Sequence, residues 1–223
     1  YIIACGPSIA YLTCADLVET ATIFVNGSIS LMAQYNFTNV VGYVISDARF
    51  VKHQPDILNK YYTGQPLYAT LAVFEALAIS HPSMISKYHN AMRIIYPADR
   101  AWSVKTNKSW FGRLLSKPLS HNKKIPLALL ANQPNFVIDT QHQPVPIGLS
   151  LDMTYGFIEA GTVAYVAAQL AYSRHAGTIH LYGIDSLNNN QPRFYESKGD
   201  SAPCKFDKAT NDRIVPSFNL TGK

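Results

Sequence analysis

Hydrophobic positions in the first third of the chain form short, uninterrupted runs that are separated by polar turns. Residues 2–5 (IIAC), 22–25 (TIFV) and 42–46 (GYVIS) are three such runs, and residues typical of turns follow each of them. Apolar runs without polar alternation are typical of a parallel sheet that is covered on both faces. We therefore predict three buried parallel strands, with a short helix over residues 16–20 between the first two.

The later hydrophobic pattern predicts longer helices and further strands. Residues 68–80 (YATLAVFEALAIS) are apolar almost all round, which is typical of a buried helix. Residues 159–175 have a long helical pattern of small and apolar residues, and Gly177 is placed to end that helix. The remaining predicted strands cover residues 92–96, 135–138 and 178–182.

This order of elements predicts an α/β fold, a single doubly wound and mostly parallel sheet with helices on both faces. A length of 223 residues fits one domain over residues 1–223. No strand follows the last helix-like stretch, so we expect the C-terminal part of a usual doubly wound domain to be trimmed or replaced. Apolar runs are interrupted well before the roughly 18 residues that a membrane span needs.

Charge is concentrated in one segment of the chain. Residues 100–138 contain seven Lys or Arg and no Asp or Glu, which gives this segment a net charge of +7. The whole chain has a net charge of +5, so the remaining residues sum to −2. Aromatic residues interleave with these cations, which indicates a patch that faces an anionic membrane or a phosphorylated acceptor. A solvated helix whose Trp residues face the core is an equal alternative. The residues assigned to the patch are Trp102, Lys105, Lys108, Trp110 and Arg113.

Polar residues follow each of the first three predicted strands. They are Gly6-Pro7-Ser8, Asn26-Gly27-Ser28 and Ser46-Asp47. In an open parallel sheet, ligands bind beyond the carboxyl ends of the strands. One such turn is usually only a turn, but three at successive strand ends favour a binding site for a phosphate or a base edge.

Standard signatures for nucleotides and metals are absent from the sequence. It contains no G-x-G-x-x-G, no G-x-x-x-x-G-K-[ST], and no paired Cys/His array. No D-x-D pair is present to hold a divalent metal against a sugar nucleotide, and the three cysteines have no zinc spacing. We therefore expect no metal and no cofactor.

The order of the motifs resembles two families that use CMP-activated sugars. A strand that ends in residues 4–8 (ACGPS), a strand that ends at Asn26, and a later helix and strand that end in residues 183–185 (GID) resemble the bacterial sialyltransferases. Residues 162–172 (TVAYVAAQLAY), followed by YGID and RFYE, more closely resemble the transferases that add a further Kdo (3-deoxy-manno-octulosonic acid) to the lipopolysaccharide core. This resemblance is strong over residues 159–218.

The resemblance implies a variant GT-A (Rossmann-like) fold with a lid, a CMP-sugar donor and no metal requirement. By position, Asn26 holds the donor phosphate, and Tyr195 matches a lid tyrosine that contacts this phosphate. Ser46 or Asp47 falls where the sialyltransferases place a donor-contacting Asn. The donor-binding set is then Gly6, Pro7, Ser8, Asn26, Gly27, Ser28, Ser46, Ala160, Gly161, Thr162, Asp185, Arg193 and Tyr195. The sialyltransferases have a Ser where this chain has Ala160, so backbone groups or Thr162 must substitute for it.

The general base is where this chain departs from the sialyltransferases, which use a His in the lid. No His follows His180 in this chain. We favour Asp47, since a carboxylate at a central strand end faces the cleft, although an Asp that caps a helix is as common there. The other candidates are Glu159 and Glu196, with His53 and His142 less central. Arg49 and Arg193 are the candidate partners of the sugar carboxylate, and Asp185 suits a structural role in its turn.

The sequence therefore predicts a metal-independent glycosyltransferase that moves Kdo, or a sialic-acid-like sugar, from CMP to the lipopolysaccharide core or lipid A. Such an enzyme is expected in the cytoplasm, peripheral on the inner face of the bacterial inner membrane, and without a nucleic-acid partner. One alternative is a Mg²⁺-dependent enzyme like the pterin pyrophosphokinases, whose first loop also contains Gly-Pro-Ser. The other alternative is a family member that binds a nucleotide or glycan without turnover.

Overall fold

The computed structural model describes residues 1–13, 15–100, 125–185, 192–196 and 209–222. Its main sheet has six parallel strands in the order β5-β4-β3-β2-β1-β8. These strands are β1 (Ile2–Ile3), β2 (Thr22–Val25), β3 (Val40–Ile45), β4 (Leu67–Ala69), β5 (Met92–Ile94) and β8 (Leu181–Tyr182). A separate antiparallel pair consists of β6 (Phe136–Asp139) and β7 (Ile147–Ser150).

Helices cover both faces of the main sheet. The α-helices are α1 (Ala48–His53), α2 (Pro55–Tyr61), α3 (Leu71–Ser80), α4 (Pro82–Tyr88), α5 (Val163–Ser173) and α6 (Val215–Thr221). Shorter 3-10 helices span Pro7–Tyr11, Ala15–Leu17, Asn26–Ala33, His89–Ala91, Leu127–Leu130 and Met153–Tyr155, and a π-helix spans Thr210–Ile214. The α/β fold with a mostly parallel sheet is therefore confirmed.

Two hydrophobic cores explain why the strands contain hardly any polar residues. Alternate strand residues such as Phe24 pack on one face with residues of α1 to α4. Their neighbours such as Ile23 pack on the opposite face with α5. Because successive side chains of a strand point to opposite faces, a strand between two cores needs apolar residues at every position.

Several predicted elements differ from the structure. Residues 68–80 form no single buried helix, because β4 ends at Ala69 and α3 begins only at Leu71. Only one side of α3 is buried, and Ile79 is 86% exposed. The predicted helix over residues 16–20 is a 3-10 turn, Ala15–Leu17. Residues 135–138 do form a strand, β6, but it pairs with β7 outside the main sheet.

The long helix predicted over residues 159–175 begins later than expected. The Thr162 hydroxyl accepts a hydrogen bond from the backbone N–H of Ala164 (3.4 Å), so α5 starts at Val163. Such a cap satisfies an N–H group that has no partner within the helix. The GT-A details, the lid and the single domain over residues 1–223 stay predictions. Within the described ranges, every helix falls short of the length and apolar character that crossing a bilayer requires.

Candidate functional site

The order of the strands along the sheet reverses at β1. From β1 the chain adds strands in one direction as far as β5, and β8 then pairs on the other side of β1. In open α/β sheets, ligands bind beyond the carboxyl ends of the strands, at the point where the strand order reverses. The first predicted strand end therefore lies at the topological switch point of the sheet.

The loops after β1 and β8 bind each other directly. The backbone N–H of Ser8 donates to the Asp185 carboxylate (2.7 Å), and that of Gly6 donates to the Gly183 carbonyl (2.8 Å). A Cβ on Gly6 would lie 2.2 Å from Asp185 Oδ2, so only glycine allows this approach. Two predicted donor-binding residues, Gly6 and Asp185, thus contact each other, and the Ser8 side chain remains exposed.

Asn26, directly after β2, has two properties that set it apart. Its φ of 48° lies in the left-handed region, which few residues other than glycine adopt. Among the described residues, its side-chain oxygen Oδ1 is buried without a hydrogen-bond partner. Backbone strain and an unsatisfied buried oxygen both cost free energy, and both are found where a residue serves a ligand.

Two buried hydroxyls hold the turn at Asn26 in place. Ser28 donates to the Ile3 carbonyl (2.6 Å) and accepts from the backbone N–H of Val25 (2.9 Å), so it joins the ends of β1 and β2. The Tyr43 hydroxyl donates to the Asn26 carbonyl (2.8 Å). Ser28 was predicted to bind the donor, but its hydroxyl is fully buried and already bonded. Tyr43 was not predicted, because a tyrosine in a buried strand looks like a core residue.

Tyr195 covers the turn after β2 from the far end of the chain. A Cβ on Gly27 would lie 2.2 Å from the Tyr195 ring, so the ring rests directly on this glycine. The Tyr195 hydroxyl lies beside the Cys5 thiol, and the thiol donates to the Val25 carbonyl (3.1 Å). Burial raises the pKa of Cys5 to about 12 and that of Tyr195 further, so both groups stay protonated at neutral pH.

Asp47, the favoured base, caps the helix that follows β3. Its carboxylate accepts from the backbone N–H of Arg49 (2.9 Å) and pairs with the Arg49 guanidinium (2.5 Å). Burial alone would raise the pKa of Asp47, but the bonds from Arg49 outweigh it and lower the pKa. Asp47 is thus an ionised carboxylate whose side chain is 43% exposed at the carboxyl edge of the sheet. Its neighbour Ser46 accepts at its carbonyl from the Thr70 hydroxyl (3.1 Å).

The other two candidate bases are also paired with arginines. Glu196 binds Arg193 through both its oxygens, at 2.5 Å to the guanidinium and 3.1 Å to the backbone N–H, and its side chain is 1% exposed. Glu159 pairs with Arg100 at 2.5 Å and is 30% exposed. Of the three carboxylates, Asp47 is therefore the most accessible to a substrate.

The loop before α5 lies at the same edge of the sheet. The end of α5 leads into β8, which begins at the opposite edge, so the start of α5 faces the carboxyl ends of the strands. Ala164 at this start packs in one core with Ala4 and Val25 at the ends of β1 and β2. The predicted residues Ala160, Gly161 and Thr162 are thereby brought to the site.

The two histidine candidates have different surroundings. His142 is bound through Nε2 to the Asp212 carbonyl (2.8 Å), whereas His53 ends α1 and is near enough to Asp47 to help lower the pKa of that carboxylate. Within the described part of the chain, no group of three or more His, Cys, Asp or Glu is placed to hold a metal ion. The predicted membrane- or acceptor-facing residues lie outside the described residues. They are Trp102, Lys105, Lys108, Trp110 and Arg113.

Comparisons with known proteins agree on one family. A family model described as 3-deoxy-D-manno-octulosonic acid transferase WaaZ matches residues 1–222. A probable 3-deoxy-manno-octulosonic acid transferase of Salmonella typhimurium is 27% identical over 202 residues, which cover 90% of this chain and 68% of the relative. A protein of the same description from Escherichia coli is 23% identical over 222 residues, which cover 96% of this chain and 70% of the relative. No solved structure matches.

Proposed function

Because the chain belongs to the WaaZ family of Kdo transferases, we propose that it transfers Kdo from a CMP donor to a hydroxyl of the lipopolysaccharide core. The observation that supports this proposal best is Asn26, with its left-handed backbone and a buried Oδ1 that no described residue satisfies, at the carboxyl edge. An amide offers an acceptor and a donor, which suit the hydroxyl, amino and phosphate groups of a nucleotide sugar.

In the proposed reaction, the anomeric carbon of Kdo loses its bond to the CMP phosphate and gains one to the acceptor oxygen. CMP leaves with the bonding electrons, through an oxocarbenium-like state. The amide N–H of Asn26, the Ser8 hydroxyl and the Tyr195 hydroxyl donate uncharged hydrogen bonds to the phosphate, and Asn26 Oδ1 accepts from a hydroxyl or amino group of the donor. The raised pKa of Tyr195 keeps its hydroxyl protonated, as a donor must be. Groups fixed in advance stabilise developing charge without reorganisation, and no step assigned here uses a metal.

The acceptor hydroxyl must lose a proton, and we assign this proton to the Asp47 carboxylate. Carboxylates serve as general bases in glycosyl chemistry that passes through oxocarbenium-like states. The ion pair with Arg49 leaves Asp47 ionised and 43% exposed, whereas the Glu196 side chain is 1% exposed. In this proposal, Asp47, one strand away from Asn26, takes the role that a histidine of the lid has in the sialyltransferases.

The acceptor is part of a lipid-anchored glycan, so the proposal includes a site of action at the inner face of the inner membrane. The sequence of residues 100–138, with seven cations, no acidic residue and interleaved aromatics, suits an anionic lipid surface or a phosphorylated core. We assign this contact to Trp102, Lys105, Lys108, Trp110 and Arg113.

A thermal-shift screen with CMP, CTP, ATP and GTP, each in EDTA and in Mg²⁺, tests the donor class. A ligand that binds only the folded state raises its melting temperature. We expect CMP and CTP to stabilise the protein in EDTA. Stabilisation by ATP with Mg²⁺ alone would contradict the proposal and favour a pyrophosphokinase-like enzyme. A transfer assay with CMP-Kdo then separates an enzyme from a protein that binds CMP without turnover.

A further inference from the structure

Three arginines near the carboxyl edge are already bound to carboxylates. Arg49 pairs with Asp47, and Arg193 pairs with Glu196. Arg100 pairs with Glu159 in the same way. An anionic substrate that binds any of these guanidiniums must compete with a protein carboxylate at 2.5 Å, which makes them weak partners for a sugar acid.

Arg213 differs from these three, since it makes no ion pair with any residue that the structure describes. It lies on the π-helix Thr210–Ile214, and π-helices are rare and concentrated at functional sites. The side chains of Thr210 and Ile214 are buried and anchor this turn. Arg213, between these two residues in the chain, is half-buried, so part of its side chain is exposed to solvent.

The Arg213 guanidinium lies against the loop that precedes α5. A Cβ on Gly161 would be 3.3 Å from Arg213 Nη2, and Gly161 has a φ of 94°. The next residue, Thr162, caps α5, whose N-terminal end faces the carboxyl edge of the sheet. The positive end of this 11-residue helix therefore meets a guanidinium that has no ion-pair partner among the described residues, and both favour an anion.

We propose that Arg213 binds the carboxylate of the donor sugar. This inference rests on the proposed function, in which the donor is a 2-keto sugar acid. The carboxylate of such a sugar is attached to the reacting carbon, so a guanidinium that holds it also orients that carbon toward the acceptor. Arg213 matches the planar, bidentate geometry of a carboxylate, and it replaces Arg49 and Arg193, which the sequence favours for this role.

The test compares Arg213→Gln and Arg213→Lys with the control Arg93→Gln. Arg93 is an exposed arginine on β5 that donates to the carbonyls of Asn90 and Met92, in its own turn and strand, at 2.7 and 2.8 Å. A lost charge-assisted hydrogen bond predicts a KM for CMP-Kdo about tenfold or more higher in Arg213→Gln. We expect a smaller rise in Arg213→Lys, none in Arg93→Gln, and an unchanged Kd for CMP in all three.

A donor analogue whose sugar carboxylate is a methyl ester tests the contact between Arg213 and this carboxylate by a change in the ligand instead of the protein. The ester should raise the donor KM of the wild type about as much as Arg213→Gln does, and it should add little in that variant. An unchanged donor KM in a folded Arg213→Gln protein, or an ester that the wild type accepts equally well, overturns the inference. A weaker Kd for CMP alone also overturns it, because the bound anion is then the phosphate. A wild type that neither binds CMP nor transfers Kdo instead refutes the proposed function.

Discussion

The ends of β2 and β3 lie side by side in the sheet, yet their polar residues are in opposite states. After β2, Asn26 has a left-handed backbone and an oxygen without a partner among the described residues. After β3, Asp47 has an ordinary extended backbone, caps a helix and is paired with Arg49. One strand end has hydrogen-bonding capacity that the described protein does not use, and the other is satisfied internally.

This difference indicates a division of labour along the carboxyl edge. A strained backbone and an unsatisfied buried oxygen both destabilise the folded protein, and a ligand that bonds this oxygen offsets that cost. A satisfied, ionised carboxylate contributes little to holding a donor, but it is available when a proton is released. We therefore expect the end of β2 to act in donor binding and the end of β3 to act only in proton transfer.

The largest effect is expected from Asp47→Asn. Loss of a general base lowers rates by about 10²–10⁴-fold, and asparagine still caps the helix, so the fold should persist. The measurement is kcat for Kdo transfer, with the exposed Asp56 of α2 changed to Asn as the matched control. A near-normal kcat in Asp47→Asn would remove Asp47 from this role and leave it as a helix cap.

Asn26→Gly should lower transfer by about 10²-fold, comparable to the loss of one donor in a site that stabilises a leaving anion. Glycine keeps the left-handed backbone at no cost, so the melting temperature should not fall. Asn26→Ala removes the same amide but adds roughly 1–2 kcal/mol of backbone strain, which a urea titration would reveal. If both variants lose stability and activity equally, the amide serves the fold rather than the donor.

Gly27→Ala should reduce transfer about tenfold or less, because its Cβ would lie 2.2 Å from the Tyr195 ring and must displace it. A displaced Tyr195 no longer covers the turn after β2, so the donor KM should rise more than kcat falls. Gly177→Ala is the control, since nothing lies within 4 Å of its added methyl group. Full activity of Gly27→Ala would show that Tyr195 has no part in donor binding.

The smallest effect concerns pH. Arg49 lowers the pKa of Asp47, so the carboxylate remains ionised, and competent as a base, to a lower pH than an ordinary aspartate. As the pH is lowered in the wild type, kcat should therefore decline only below the usual range of aspartate pKa values. Arg49→Gln should shift this acid limb to higher pH, as the pH profile of kcat would show. An acid limb that does not move on this change would mean that another group titrates in it.

The sequence predicted the strand ends of the site better than the elements around them. Short apolar runs bounded by turns located the ends of β1, β2 and β3, because a strand between two cores has no polar residue until it leaves the sheet. The same continuity hid β4, since Thr70 is the single residue between β4 and α3 and the residues on both sides of it are apolar. Hydrophobic periodicity does not reveal an element boundary that one threonine marks.

Contacts between distant residues were beyond prediction. The pairs Asp47–Arg49 and Arg193–Glu196 are close in the chain, but Arg100–Glu159 spans 59 residues. Tyr195 rests on Gly27 only because the chain returns to β1 through β8. Likewise, the sequence does not show that Asn26 Oδ1 lacks a hydrogen-bond partner among the described residues, because this depends on where the other described donors lie in the fold.

Isothermal titration of CMP in EDTA, with wild type, Asn26→Gly and Asp47→Asn side by side, tests this division most directly. We predict that wild type and Asp47→Asn bind CMP with the same Kd, and that Asn26→Gly binds at least tenfold more weakly. An Asn26→Gly variant that binds CMP as tightly as the wild type would show that Asn26 does not hold the donor.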